Sequence, residues 1–134
     1  MPKLESRYSS CRDEEIVGWK KVFVRAYGRY GNLYTFPVIA KLRIPKDAGV
    51  VCGITKCRAS RVIVEGFYAP DHVWMPGPDN ELSLTKAHSA MDPGFLYEKR
   101  SEVVPDSFDP DPKNNCSHGI NFFRTYEEAV KYIF

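Results

Sequence analysis

The feature that most constrains this chain is an apolar alternation in the segment LYTFPVIAKLRIP, residues 33–45. Every second side chain there is apolar, and a strand places alternate side chains on opposite faces. The apolar set consists of Tyr34, Phe36, Val38, Ala40, Leu42 and Ile44. This pattern predicts a strand of an antiparallel sheet with one buried face. Pro37 cannot donate to a sheet ladder, so we expect the strand to be at an edge, bulged or broken near that residue.

Further stretches predict strands that accompany the first. The segment GWKKVFVRAYG, residues 18–28, is rich in the β-branched and aromatic side chains that strands favour. The glycines of GRYGN, residues 28–32, fit a hairpin turn that joins this segment to the alternating run. Another strand is predicted over residues 60–67, preceded by a turn at Gly53.

The end of the chain predicts a strand followed by a helix. Residues 120–123, INFF, form a compact apolar run. Thr125 stands three residues before Glu128, which is the spacing of a capping box, in which the hydroxyl accepts an N–H of the first helical turn. An apolar stripe follows at helical spacing and consists of Tyr126, Ala129, Val130 and Ile133. We therefore expect a terminal helix docked on the sheet.

Length and punctuation limit the architecture. The 134 residues suit one domain, and ten prolines and nine glycines predict short elements joined by substantial loops. We predict an α+β fold, namely a small, mostly antiparallel sheet with long loops and a C-terminal helix packed on it. Residues 1–15 are assigned to a polar N-terminal arm and residues 16–134 to a single domain. Residues 69–93 are predicted to be a long loop that wraps the sheet, with Trp74 and Met75 as anchors.

Charge is distributed unevenly along the chain. Residues 1–65 contain 13 Lys and Arg against 6 Asp and Glu, a net charge of +7, whereas residues 66–134 contain 6 against 11, a net charge of −5. A basic half with interleaved aromatic residues is one signature of a nucleic-acid-binding sheet. Lys and Arg also commonly occupy the solvent face of an antiparallel sheet, and no glycine-rich phosphate-binding loop is present. The residues concerned are Trp19, Lys20, Lys21, Phe23, Arg25, Tyr27, Arg29, Tyr30, Lys41, Arg43, Lys56, Arg58 and Arg61.

The sequence also carries signals of compartment. No apolar run approaches the roughly 20 residues needed to cross a bilayer. The first residues, MPKLESRYSSCRDEE, lack the apolar core of a signal peptide. We therefore expect an intracellular protein whose four cysteines are reduced thiols. They are Cys11, Cys52, Cys57 and Cys116.

Cys116 and His118 are the reactive side chains of the terminal unit, and their spacing places them on one side of an extended segment. With Cys52 and Cys57 they would make four zinc ligands, but the gaps of one and four residues fit no strong zinc pattern. A thiol–imidazole nucleophile needs a third group to orient the ring, and none is identified nearby. We therefore assign no catalytic and no metal site, and retain Cys116 and His118 as candidate binding residues.

The segment PDSFDPDP, residues 105–112, contains three carboxylates that invite comparison with a calcium loop. It lacks the glycine and the terminal bidentate glutamate of an EF-hand loop, and three prolines stiffen it. We predict a solvated loop here.

Several strings together resemble an uncharacterised domain family of large DNA viruses and some microbes, in which the domain often stands beside pentapeptide repeats. They are VIAKLRIPKDAGVV (38–51), KCRAS (56–60), VVPDSFDPDP (103–112) and CSHGINFFRTYEEAVKY (116–132). The resemblance implies a viral origin, a small α+β domain and a location in the host cytoplasm or the virion. It implies no reaction, substrate or cofactor, and this chain has no pentapeptide repeats of its own.

The closing strand and helix are also similar to a segment of ADP-ribosyltransferase-like folds. Those enzymes need a nicotinamide-gripping Arg or His, a Tyr or Ser, and a catalytic Glu. Glu127 and Glu128 lie on the predicted helix, and no other member of the set is identified. The likeness concerns fold and is a weak basis for assigning a function.

The absence of a coherent catalytic set favours a non-catalytic structural or protein-interaction module, virus-encoded and without a cofactor. Its partner would be another protein, either a viral structural protein or a host protein, docked on a sheet edge and on the loop of Trp74. One alternative is a nucleotide-binding or ADP-ribosyltransferase-like enzyme with a cleft near His118 and Tyr97. The other is a nucleic-acid-binding module of the basic half. The candidate binding residues are Cys116, His118, Trp74 and Tyr97.

Overall fold

A computed structural model describes residues 7–9, 14–70, 81–114 and 117–132 of the chain. These residues form ten strands and one helix. The strands are β1 (Arg7–Ser9), β2 (Ile16–Tyr27), β3 (Leu33–Ile44), β4 (Val50–Cys52), β5 (Lys56–Ala59), β6 (Val62–Tyr68), β7 (Lys86–His88), β8 (Leu96–Glu98), β9 (Glu102–Val103) and β10 (Ile120–Phe123). The helix is α1 (Tyr126–Lys131).

The strands form one antiparallel sheet, which curls into a half-barrel. Its order is β1-β4-β5-β10-β2-β3-β6-β9, and β7 joins the sheet by pairing with β2 and β8. The predicted antiparallel sheet with a terminal helix is confirmed. The α+β label fits only in part, because the described helix has six residues and the sheet dominates. The polar arm predicted over residues 1–15 includes the backbone of β1, which pairs with β4.

The hairpin of β2 and β3 is the spine of this sheet. It pairs without interruption from Ile16 opposite Ile44 to Tyr27 opposite Leu33. Gly31 occupies the turn with a φ of 84°, a conformation that glycine adopts at no steric cost. The predicted hairpin and its glycine turn are therefore confirmed.

The apolar alternation of β3 is buried only where the strand has neighbours on both edges. The face that starts at Val38 lies in the main core with the inward side chains of β2, β6 and β10. Ile39 points to the opposite face and is also fully buried, because α1 covers the sheet there. Tyr34 and Phe36 continue the alternation but are about half exposed.

Pro37 lies where β3 has β2 on one side and no described strand on the other. β6 pairs with β3 only from Ile39 to Arg43, and it does so across a bulge between Lys41 and Leu42. The missing N–H of Pro37 thus costs no ladder bond to β6. The expectation of an edge position near this proline is confirmed.

The helix α1 begins as the sequence predicts. The Thr125 hydroxyl accepts the Glu128 N–H at 3.2 Å and also lies 3.0 Å from the Glu128 carboxylate. Tyr126 and Ala129 are buried against the outer face of the sheet, where Trp19 meets Tyr126 edge-on at 5.7 Å. No helix within the described ranges has the length and apolar character to span a bilayer.

The expectation of four reduced thiols is wrong for two of them, since Cys52 and Cys57 form a disulfide. The sequence did not predict β4 and β5 as separate strands. They form a tight hairpin around Gly53, and its register sets the two cysteines directly opposite each other. Opposite residues of an antiparallel pair share a face, and the Cα atoms are 4.0 Å apart. The local hairpin therefore brings the sulfurs together.

Candidate functional site

A cleft opens in the sheet beside the middle of β2. On that edge, β10 pairs with β2 at Trp19, whereas β7 pairs with it at Phe23. Between these two points neither short strand covers the edge, and a cavity of about 590 Å³ lies there. Clefts that bind small ligands commonly measure about 300–1,000 Å³. We call this cavity the lysine cleft.

Three lysines from two strands line the lysine cleft, namely Lys20 and Lys21 of β2 and Lys56 of β5. The Lys20 Nζ donates to the Asn121 carbonyl at 2.9 Å. Lys21 donates to the carbonyls of Val130 and Tyr132, at the end of α1. Lys21 thus holds the helix in place, whereas Lys20 has a single described hydrogen bond.

The electrostatic environment of Lys20 is unfavourable to a charge. Burial and, secondarily, the ammonium of Lys56 lower the pKa of Lys20 to about 8. Within the described ranges no carboxylate forms an ion pair with either lysine. Two neighbouring cations that have no counter-charge among the described residues are costly to bury, and such groups cluster at functional sites.

Aromatic side chains face the lysines from two sides. Phe95 and Tyr97 come from the β7–β8 connection and β8, with their rings 5.4 Å apart. Phe123 and Tyr132 lie at the opposite end, 5.1 Å apart, and the Lys56 Nζ sits 5.5 Å from the Tyr132 ring centroid. Burial raises the pKa of the Tyr97 phenol, so its hydroxyl stays protonated at neutral pH.

The lysine cleft brings together two of the four candidate binding residues. Tyr97 is buried on its wall, and His118 is exposed at the segment that leads into β10. Cys116 and Trp74 lie outside the described residues. Their proposed roles as binding residues therefore stay predictions.

Two other hypotheses from the sequence concern a zinc site and an ADP-ribosyltransferase-like enzyme. The disulfide ties up the sulfurs of Cys52 and Cys57, which therefore offer no thiolate to a metal. No group of three or more potential ligands gathers within the described ranges. Neither Glu127 nor Glu128 is among the described residues that line the lysine cleft.

The acidic loop, residues 105–112, forms part of the rim of the lysine cleft and is fixed by internal hydrogen bonds. Asp109 accepts the Ser117 hydroxyl and the Asn114 amide, each at 2.7 Å, and the Asp111 N–H at 2.9 Å. These bonds, that of Ser117 foremost, lower the pKa of Asp109 to about 2. The buried Arg58 donates to three carbonyls of the loop. The oxygens of Asp109 thus stabilise the loop.

A second surface lies at the far end of the β2–β3 hairpin. Among the described strands, the neighbours of this hairpin reach only Phe23 and Ile39, so residues 24–36 pair with each other alone. We call this segment the aromatic ribbon. Its large exposed side chains, with exposed fractions of 47 to 89%, are Tyr27, Tyr30, Leu33, Tyr34 and Phe36.

The conformation of the aromatic ribbon is fixed by local contacts. The Tyr34 ring lies against Gly28, where a Cβ would come within 2.5 Å of the ring. The Asn32 amide donates to the Tyr34 hydroxyl at 3.2 Å, and the Phe36 ring stacks on Tyr34 at 6.3 Å. The Gly28 N–H donates to the Asn32 carbonyl at 2.7 Å. These contacts hold Tyr34 and Phe36 in place, although both side chains are about half exposed.

Sequence reasoning grouped the basic and aromatic residues of the N-terminal half as one sheet surface, and the structure divides them. Lys20, Lys21 and Lys56 line the lysine cleft, whereas Arg25 and Arg29 lie on the aromatic ribbon. The two consecutive lysines between Trp19 and Val22 were a signal for the cleft, since one of them must face inward. The predicted hairpin extends past the expected edge position at Pro37 to its turn at residues 28–32, and this extension was the signal for the aromatic ribbon.

A family model described as a family of unknown function (DUF5758) matches residues 7–129. The chain therefore belongs to this family. No curated protein and no solved structure matches the chain.

Proposed function

We propose that this member of the DUF5758 family is a non-catalytic protein-interaction module that binds an acidic protein surface through the aromatic ribbon. The observation that carries the proposal is the concentration of five large, exposed apolar side chains on the 13 residues 24–36. Tyr34 and Phe36 lie on one face of the aromatic ribbon and Tyr27 and Leu33 on the other, so both faces expose apolar surface, a feature that marks interaction sites. Tyrosine and arginine are also enriched among the residues that contribute most to binding energy.

Charge indicates the kind of partner. The aromatic ribbon, residues 24–36, includes two Arg and no Lys, Asp or Glu. On the aromatic ribbon itself Arg25 and Arg29 are both exposed. A partner surface rich in carboxylates would complement this charge and would accelerate association at low ionic strength. We therefore assign an acidic protein surface as the occupant.

The rigidity of the aromatic ribbon supports binding by a preformed surface. The stacked Tyr34 and Phe36 rings and the turn hydrogen bonds restrict the ribbon before any partner arrives. Binding then loses less side-chain entropy than it would on a flexible loop. The docking role expected for Trp74 stays a prediction, because residues 71–80 lie outside the described residues.

The proposal includes the viral origin expected from the sequence, with a viral structural protein or a host protein as partner. It also includes a location in the host cytoplasm or the virion. The Cys52–Cys57 disulfide supports the virion, since disulfides persist on virion surfaces and are rare in the cytosol.

The test is site-specific photo-crosslinking followed by affinity measurement. A photoreactive phenylalanine replaces Tyr30 in the chain expressed in its natural host cells, and a matched variant carries it at Val104, an exposed apolar position outside the ribbon. We expect position 30 alone to crosslink to one partner protein at a segment rich in Asp and Glu. With that partner purified, Tyr30→Ala should weaken binding by about 30-fold, the effect of a 2 kcal/mol hot spot.

Three results would overturn the proposal. Crosslinks from position 30 to nucleic acid would favour the nucleic-acid-binding alternative. Crosslinks only to a second copy of the chain, with a dimer in sedimentation, would make the ribbon a self-association surface. Equal affinities of the Tyr30→Ala and Val104→Ala variants for the purified partner would remove the ribbon from the interface.

A further inference from the structure

We propose that the lysine cleft binds a mononucleotide, with its phosphate between Lys20 and Lys56 and its base against the aromatic walls. This site lies on a different part of β2 from the aromatic ribbon, so the proposal does not depend on the protein-interaction function. It rests on the position of the two lysines, on the absence of a described counter-charge and on the aromatic pairs that flank them.

The phosphate assignment follows from the two neighbouring cations. Lys20 and Lys56 line one cavity and repel each other, as the effect of Lys56 on the pKa of Lys20 indicates. Lys20 has one described hydrogen bond, to the Asn121 carbonyl, although an ammonium has three donors. A phosphate dianion offers two charges and several acceptors, so it neutralises both lysines, whereas a carboxylate offers a single charge. The cleft is therefore better matched to phosphate.

The carboxylates at the opening do not occupy this position. Asp92 and Asp106 line the lysine cleft and are exposed, and neither forms an ion pair with a described lysine. Lys21, the third lysine, is committed to two carbonyls at the end of α1. The charge available to a ligand therefore comes from Lys20 and Lys56.

The base assignment follows from the rings on either side. Phe95 and Tyr97 form one wall, and Phe123 and Tyr132 form the other. Planar bases gain about 1–3 kcal/mol each from stacking on aromatic side chains in single-stranded nucleic-acid complexes. The exposed Met91 stands at the opening of the cleft and supplies an adaptable apolar side chain over a bound ring. The volume of about 590 Å³ lies within the range of small-ligand clefts.

The experiment measures binding to the full chain by calorimetry with four probes: AMP, inorganic phosphate, ribose 5-phosphate and adenosine. We expect AMP to bind at least about tenfold more tightly than any probe that lacks the phosphate or the base, since about 1.4 kcal/mol corresponds to tenfold. Lys20→Met and Lys56→Met should each weaken AMP binding about tenfold or more. Lys46→Met, at an exposed lysine outside the cleft, should leave it unchanged.

A second variant separates the base from the phosphate. Phe95→Ala should weaken the binding of AMP but leave that of ribose 5-phosphate within about twofold, because only the stacking contact is lost. Urea denaturation of each variant verifies that the fold is retained. Equal affinities for AMP and inorganic phosphate would overturn the nucleotide assignment. The absence of binding by every phosphate probe at millimolar concentration would overturn the site itself, whatever the ribbon binds.

Discussion

The lowered pKa of Lys20 predicts how the stability of the fold changes with pH. Burial and the neighbouring Lys56 lower its pKa from 10.5 to about 8 in the folded state. Between these two values the unfolded chain binds more protons than the folded one, so stability rises as the pH rises. For this pair of pKa values, the penalty for the charged lysine falls from about 3 kcal/mol at pH 7 to about 1 kcal/mol at pH 10. Lys20 should therefore add roughly 2 kcal/mol of stability over that interval.

The assay compares urea denaturation of the wild type, Lys20→Met and the control Lys46→Met at several values between about pH 7 and pH 10. The difference in unfolding free energy between wild type and Lys20→Met should shift by roughly 2 kcal/mol in favour of the wild type as the pH rises. Burial also lowers the pKa of Lys21, which contributes equally to all three proteins and cancels. Above about pH 10, the raised pKa of Tyr97 acts in the opposite direction, because only unfolded tyrosine ionises there. Identical pH profiles for wild type and Lys20→Met would refute the inferred burial of the charge.

Three further predictions concern the packing, the helix cap and the acid limb. Gly18→Ala should destabilise the fold by about 1–3 kcal/mol, since its Cβ would lie 2.4 Å from the buried Phe122 ring. In urea denaturation, the further substitution Phe122→Leu should recover part of this loss. Purely additive losses would contradict the contact. Thr125→Ala should cost about 1 kcal/mol through loss of the helix cap, measured by thermal denaturation, whereas Thr125→Ser should stay near the wild type. Hydrogen bonds lower the pKa of Asp109 to about 2, so the stability that Asp109 supplies above about pH 4 is lost as the pH falls through 2. Asp109→Asn should reduce this fall of the unfolding free energy at acid pH. An unchanged fall in the variant would contradict the assignment.

The sequence predicted most of the fold where the patterns are local. The β2–β3 hairpin, the strand 120–123 and the cap at Thr125 depend on alternation, turn glycines and i, i+3 spacing, all of which can be detected within one segment. The short strands β7 and β9 were missed for a physical reason. They have three and two residues, too few for a periodicity, and they exist because a longer strand offers each of them an edge.

The candidate sites were harder to predict, because both depend on where neighbouring strands stop. The lysine cleft exists since β10 leaves the edge of β2 at Trp19 and β7 arrives only at Phe23. The aromatic ribbon exists since β6 ends its pairing at Ile39. Such boundaries depend on contacts between residues far apart in sequence. His118 and Tyr97, near which the nucleotide-binding hypothesis places a cleft, both line the lysine cleft.

One strand supplies both sites, and its geometry separates their energetics. Lys20 and Tyr27 are seven residues apart on β2, and a strand rises about 3.4 Å per residue, so the two side chains lie on the order of 24 Å apart. Changes more than about 10 Å apart that share no partner generally add within about 0.5 kcal/mol. A nucleotide in the lysine cleft should therefore leave the affinity of the aromatic ribbon for its partner unchanged, unless the ligand shifts Phe23, whose ring stacks on His88 between the two sites. Coupling greater than about twofold that disappears in Phe23→Leu would identify that ring pair as the connection.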